Sequence, residues 1–171
     1  MMSEAIDGSR AAQQIAARLS LRGPQRESLD ILAGLLEKLE LTKDADLQHW
    51  LKTIRAQYPT VEKFERDFPT LCFALATGVG KTRLMGAIIA WLFITGRSRH
   101  FFVLAPNLTI YEKLKNDFTL GNPKYVFAGI PELAQTPPVI ITGEDYEDGR
   151  GVRLDFSVPA TLTADLFGAD S

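Results

Sequence analysis

The chain of 171 residues is poor in the residues that build crosslinks and metal clusters. It has one cysteine, Cys72, and two histidines, His49 and His100. A disulfide framework is therefore excluded, and so is a Cys/His zinc site with its paired ligand spacing. Cys72 lies in an apolar run and reads as a small core residue. Charge of one sign is also missing: 19 Lys and Arg stand against 21 Asp and Glu, a net charge of −2. The whole-chain balance is not that of a strongly basic nucleic-acid binder, although a local groove can still hold a strand. No apolar run approaches the roughly 20 residues that cross a bilayer. The longest, Leu84 to Ile94, reads as a buried helix. Met1 to Arg10 carries Glu4 and Asp7 and no apolar stretch, which is not the pattern of a secretion signal. Repeats and low-complexity tracts are absent. With 46% apolar and 23% charged residues, the composition predicts a folded, cytoplasmic chain with no membrane partner.

What is present falls into two parts. The first, 1–68, reads as helical. Ile15 and Leu19 mark a helix over Arg10–Leu19, which Gly23-Pro24 interrupts. Leu29, Leu32, Leu36 and Leu39 mark a second helix from Gln25 to about Leu41. Asp44 is a candidate N-cap for a third, through Gln57, with Leu47, Trp50, Leu51 and Ile54 on its apolar face. Thr60 to Phe68 reads as a short helix or turn. From Pro69 the pattern alternates. Leu71–Leu75, Phe101–Ala105, Tyr125–Phe127 and Val139–Thr142 read as strands. Lys81–Thr95, Leu108–Phe118 and a brief piece at Pro131–Ala134 read as helices. Val152–Val158 reads as an edge strand. Such alternation predicts an α/β fold, a parallel sheet covered by helices. Trp50 and Trp91 sit among helical apolar neighbours and are expected in the core.

The chemistry concentrates in Ala74-Leu75-Ala76-Thr77-Gly78-Val79-Gly80-Lys81-Thr82. An apolar run, a glycine turn and a helix in that order are the layout of a phosphate-binding loop. Gly78 and Gly80 let the backbone approach an anion. The amides at the start of the following helix point at it. Lys81 reaches the β- and γ-phosphates, and the Thr82 hydroxyl binds Mg²⁺. The full pattern G-x-x-x-x-G-K-[ST] asks for glycine where this chain has Leu75. A hydrolase also needs an acid at the end of a neighbouring strand. The nearest candidates, Glu144 and Asp145, are separated from the Val139–Ile141 run by Thr142 and Gly143. No motif supplies an arginine finger. Asn-Lys-x-Asp, the guanine signature, is absent, and so are the lid and substrate arginines of a small kinase.

Motif I of superfamily 2 helicases and translocases resembles Ala76-Thr77-Gly78-Val79-Gly80-Lys81-Thr82, and the segment is closer still to the ATP-dependent subunit of type III restriction enzymes. Leu21-Arg22-Gly23-Pro24-Gln25-Arg26-Glu27 resembles the upstream glutamine motif. Val103 to Leu114 resembles motif Ia. Asn122–Phe127 and Ile140–Gly143 resemble the intervening strands of that family. The resemblance implies a RecA-like P-loop domain over 69–171, incomplete, behind a helical extension over 1–68. It implies ATP and Mg²⁺ held by Thr77, Gly78, Val79, Gly80, Lys81 and Thr82, with Thr82 on the metal and Gln25 on the adenine edge. It implies DNA contact through Pro106 and Asn107. In the family the Asp-Glu-x-His motif, a second RecA-like domain and any nuclease domain come later. The chain is thus expected to be the front of a longer helicase or translocase, partnered by those portions or by a methyltransferase subunit, and to hydrolyse little alone. The competing expectations are a non-catalytic P-loop remnant or interaction module, and another P-loop class. An unfinished sheet would expose an edge and favour association. Lys113, Lys115, Arg97 and Arg99 read either as solvated faces or as a basic patch.

Overall fold

The computed structural model describes residues 7–42 and 44–147. Tertiary contacts divide the chain into two units, Met1–Pro138 and Val139–Ser171. Among its described residues the first holds six helices: α1 (Gly8–Arg18), α2 (Gly23–Leu36), α3 (Leu47–Gln57), α4 (Lys81–Ile94), α5 (Leu108–Phe118) and α6 (Pro131–Gln135). The second holds one short helix among its described residues, α7 (Gly143–Glu147).

Helix ends follow local chemistry. Asp7 caps α1 by accepting from the amides of Ser9 and Arg10. Asp46, not the expected Asp44, caps α3 through the amides of Gln48 and His49. At the end of α1, Ser20 takes the left-handed conformation with φ 50°. The Leu21 amide then bonds the Ala16 carbonyl at 2.9 Å, and the Ser20 amide bonds that of Ala17 at 3.1 Å. This double closure is a Schellman turn, and buried Leu21 supplies its usual apolar contact. It reverses the chain into α2, whose first turn contains Pro24.

Helices α1, α2 and α4 pack on one another pairwise. Their interface holds Ala12, Ile15 and Ala16 of α1, Leu29, Ala33 and Leu36 of α2, and Ala87, Ala90 and Trp91 of α4. Small residues on α1 and α4 let the helices approach. The two run antiparallel. The Trp91 indole N–H donates to the Gly8 carbonyl at 2.7 Å at one end. The Arg83 guanidinium donates to the Leu19 carbonyl at 2.9 Å at the other. Trp50 and Trp91 are both buried, as their apolar neighbours led one to expect.

The expected parallel sheet is not there: among the described residues no strand forms. Leu71–Leu75 and Phe101–Ala105 lie outside helices and pair with nothing. Phe102 is 88% exposed and Leu104 76%. Cys72, expected inside a strand, is exposed. Tyr125–Phe127 is a turn: the Tyr125 amide bonds the Asn122 carbonyl and that of Ala128 bonds the Tyr125 carbonyl, each three residues back. Val139–Thr142 leads into α7 without pairing. The physical reason is that a strand exists only through its ladder partners. Apolar content marks a segment for burial but does not supply the neighbour. Here the helices bury one another, and the Tyr125–Phe127 turn fills the remaining space. Phe127 is 1% exposed and meets Phe118 and Tyr125 edge to face, each at 5.5 Å. Thr60–Phe68 forms turns and bends, and the expected strand at Val152–Val158 lies outside the described residues.

One close contact sets how far this turn can sit from α4. A Cβ placed on Gly86 would lie 2.8 Å from Val126 Cβ and 3.2 Å from its carbonyl oxygen. Gly86→Ala is expected to destabilise the chain by about 1–3 kcal/mol through overpacking, despite alanine's better helix propensity. Val126→Gly in the same chain removes the Cβ that the new methyl would strike and should recover part of the loss, and urea unfolding of the two single variants and the double variant reads the coupling.

Candidate functional site

The segment 77–80 turns the chain into α4. Gly78 has φ 79° and Gly80 has φ 91°, conformations that L side chains rarely adopt. Gly80 is the N-cap of α4, and no side chain caps the helix. The Lys81 and Thr82 amides, at the first two helical positions, have no acceptor within the helix and are left for water or an anion. The Gly80 carbonyl is heavily used. It accepts from the Arg83 amide at 3.0 Å, the Leu84 amide at 3.2 Å and the Gln25 side-chain nitrogen at 2.8 Å.

Gln25 is the third residue of α2 and is 2% exposed. Its Oε1 accepts from the Arg22 amide at 2.8 Å, reaching back to the helix N-cap as a glutamine at this position does in a capping box. Its Nε2 donates to Gly80. The two bonds together fix which way the amide faces, since a flipped group would set donor against donor and acceptor against acceptor. The fit at Gly80 is tight as well: a Cβ there would lie 2.7 Å from Gln25 Nε2. The glycine loop and the α1–α2 turn are thus joined twice, by Gln25 to Gly80 and by Arg83 to Leu19.

A second approach comes from α5. Lys113 Nζ donates to Thr82 Oγ1 at 3.2 Å and to Asp117 Oδ2 at 2.5 Å. Asp117 is buried, and its ion pair with Lys113 spans one helical turn. The structure therefore brings together Gln25, Gly80, Thr82, Lys113 and Asp117. Thr77, Gly78, Gly80 and Lys81 are exposed, while Val79 and Thr82 are half-buried. Pro106 and Asn107 are exposed, and the Asn107 side chain caps α5 by accepting from the Ile110 amide at 2.9 Å. In the second unit, Asp145 Oδ2 accepts from the Thr142 amide at 3.0 Å and from its hydroxyl at 2.6 Å. That local bracing of α7 is what a carboxylate three residues after a threonine N-cap does. A shallow cleft lined by Arg26, Glu27, Asp30, Ile31 and Tyr58 shares no residue with the glycine loop.

The donor set suits a nucleoside triphosphate with Mg²⁺. Two left-handed glycines and an uncapped helix start favour an anion. Lys81 is solvent-facing at the first helical position, and the Thr82 oxygen already attracts a cation. Phosphates would lie against the first turn of α4, with Lys81 beside them and the Thr82 hydroxyl on the metal. A metal held there would neutralise phosphate charge. Arg83, Lys113 and Asp117 were not singled out for this place from the sequence. The spacing of Lys113 and Asp117 was visible as a helical ion pair, but nothing local connects either to Thr82.

Gln25→Glu is expected to cost more stability than Gln25→Ala. A carboxylate is acceptor-only and would face the Gly80 carbonyl, a mismatch of about 2 kcal/mol, whereas alanine leaves only the Arg22 amide to find water. Chemical denaturation of the two variants checks the order.

Among the described residues no helix is long and apolar enough to cross a membrane, and no group of His, Cys, Asp and Glu is placed to hold a metal by itself. Searches of curated proteins and of solved structures return no match. A family model described as type III restriction enzyme, res subunit, matches residues 19–164 and so spans Gln25, the glycine loop, Lys113 and Asp117. That match covers most of the chain, and the family acts on DNA with ATP; the chain belongs to the family of type III restriction enzyme res subunits.

Proposed function

We propose that the chain binds ATP with Mg²⁺ at the start of α4 and serves the ATP-dependent handling of DNA in a restriction-type helicase or translocase. One observation carries the reading. Gly78 and Gly80 both take left-handed conformations directly before Lys81 and Thr82, at a helix start that no side chain caps. Thr77 to Thr82 hold the phosphates, with Thr82 also on the metal. Gln25, packed against Gly80, is the residue assigned to adenine. Pro106 and Asn107, on the exposed approach to α5, are assigned to the DNA backbone. In this reading residues 1–68 carry the glutamine segment and 69–171 the ATP site. The partners are DNA and a methyltransferase subunit.

Titration of a fluorescent ATP analogue in the presence of Mg²⁺ tests the site. Lys81→Ala is expected to weaken binding about tenfold or more, since it removes the charge beside the phosphates. Unchanged affinity would leave the non-catalytic interaction module as the better account. GTP is expected to bind more weakly than ATP, and Gln25→Ala to narrow that difference. Equal affinity for both nucleotides would remove Gln25 from base recognition.

A further inference from the structure

The hydroxyl assigned to the metal is already in contact with a cation. Lys113 Nζ lies 3.2 Å from Thr82 Oγ1 and 2.5 Å from Asp117 Oδ2. The side chain of Asp117 is 9% exposed and that of Lys113 51%. A carboxylate so deeply buried is costly without a partner, and Lys113, one turn earlier on α5, is that partner. The same turn of α5 is tied to α4. The Asp117 carbonyl accepts from the Val126 amide at 2.8 Å, and Val126 is the residue that Gly86 of α4 packs against. The carboxylate is thereby held at a set place relative to α4, and it aims the Lys113 ammonium at the first turn of that helix.

Resting on the reading of this loop as a Mg²⁺–nucleotide site, we propose that Lys113 is a positioning residue: it holds Thr82 Oγ1 in the nucleotide-free chain and competes for that oxygen with the incoming divalent cation. A threonine hydroxyl offers lone pairs on one small atom. Mg²⁺ takes such an oxygen at about 2.1 Å. An ammonium left at its present distance from the same oxygen would then lie within roughly 5 Å of a double positive charge, a repulsive arrangement at any protein dielectric. One of the two must give way. Lys113 can, because it is half exposed on a flexible stem. Asp117 cannot follow it, so its charge stays behind on the metal's side of the helix start. Metal entry thus removes the ammonium from Thr82 and leaves a carboxylate to favour the newcomer. In the empty state the ammonium keeps the hydroxyl turned toward α5. The exchange sets how much Mg²⁺ the site needs before nucleotide loads.

The test is the Mg²⁺ concentration giving half-maximal binding of a fluorescent ATP analogue to the full chain, with the Thr82 side-chain NMR resonance recorded without nucleotide. Lys113→Met keeps length and removes charge, and it is expected to lower the Mg²⁺ midpoint about threefold, the scale of a half-exposed charge contact. Lys113→Arg should stay near the parent. The Thr82 resonance should move in Lys113→Met without any ligand. Lys113→Gln repeats both measurements should the methionine variant fail to fold. A midpoint that is unchanged or higher, or a Thr82 resonance that stays in place, overturns the competition. Lys81→Ala run alongside separates the two ideas: if it leaves analogue affinity intact the nucleotide reading fails, whereas a large loss there with no midpoint shift in Lys113→Met sinks only the role of Lys113.

Discussion

The hydrogen bond from Gln25 to the Gly80 carbonyl is the contact on which the rest of the site depends. It joins residues 55 positions apart, and it does so at the point where the glycine loop becomes a helix. Gly80 must be left-handed to start α4, and that conformation turns its carbonyl where Gln25 can reach it. A side chain at position 80 would strike the glutamine. Glycine is thus required there twice, by backbone conformation and by space. The Schellman turn after α1 makes the other half possible. Ser20, left-handed and closed by two hydrogen bonds, swings Leu21 inward and brings Arg22 to Gln25 against the loop.

Much of the helical frame could be read from spacing. The apolar stripes of α2 and α3 and the bounds of α5 agree with it, as does the burial of Trp50 and Trp91. Those features are local, since a stripe at helical period states both the conformation and the buried face. The expected sheet rested on weaker ground, and among the described residues it does not form. Leu71–Leu75 and Phe101–Ala105 are short apolar runs, and periodicity alone does not separate such a run from any other apolar segment. Pairing is a property of two segments, and the described residues supply none. The site was legible in part for the same reason. The order of Gly78, Gly80, Lys81 and Thr82 is a local pattern. The approach of Lys113 to Thr82, across 31 positions, is a tertiary fact with no trace in either segment. Gln25 falls between. Its place in α2 was readable, while its use of the Gly80 carbonyl was not.

The loop is held from two sides by contacts of different kind. Gln25 grips the backbone with a neutral, buried hydrogen bond, which is insensitive to salt and costly to leave unmade. Lys113 touches a side chain through a half-exposed charge, which is easily displaced. This division suits an anion-binding loop. The backbone conformation, which a phosphate needs ready-made, rests on the contact that persists. In the proposed reading, the hydroxyl that a metal would recruit rests on the contact that yields. Burial of Asp117 reconciles the two, because a fixed carboxylate lets the lysine move without the local charge moving with it.

The commitment of Gln25 has a consequence for base recognition. Its carboxamide has one oxygen and one nitrogen, and each already serves a backbone group, the Arg22 amide and the Gly80 carbonyl. An adenine edge also asks for one donor and one acceptor. Each atom keeps a second valence, a lone pair and an N–H, so only a base that pulls the whole carboxamide round makes it withdraw from both. The Arg22 amide then needs water, and Gly80 keeps only the bonds from Arg83 and Leu84. Releasing two such bonds costs about 1–3 kcal/mol unless the base repays it. Base and loop therefore draw on the same group. A nucleotide whose base satisfies Gln25 would be bound by a loop no longer tied to α2, while one that does not would meet the loop as it stands. In the proposed reading of Gln25 as the base-recognising residue, selectivity and loop position are coupled through that one side chain, and the coupling is reciprocal.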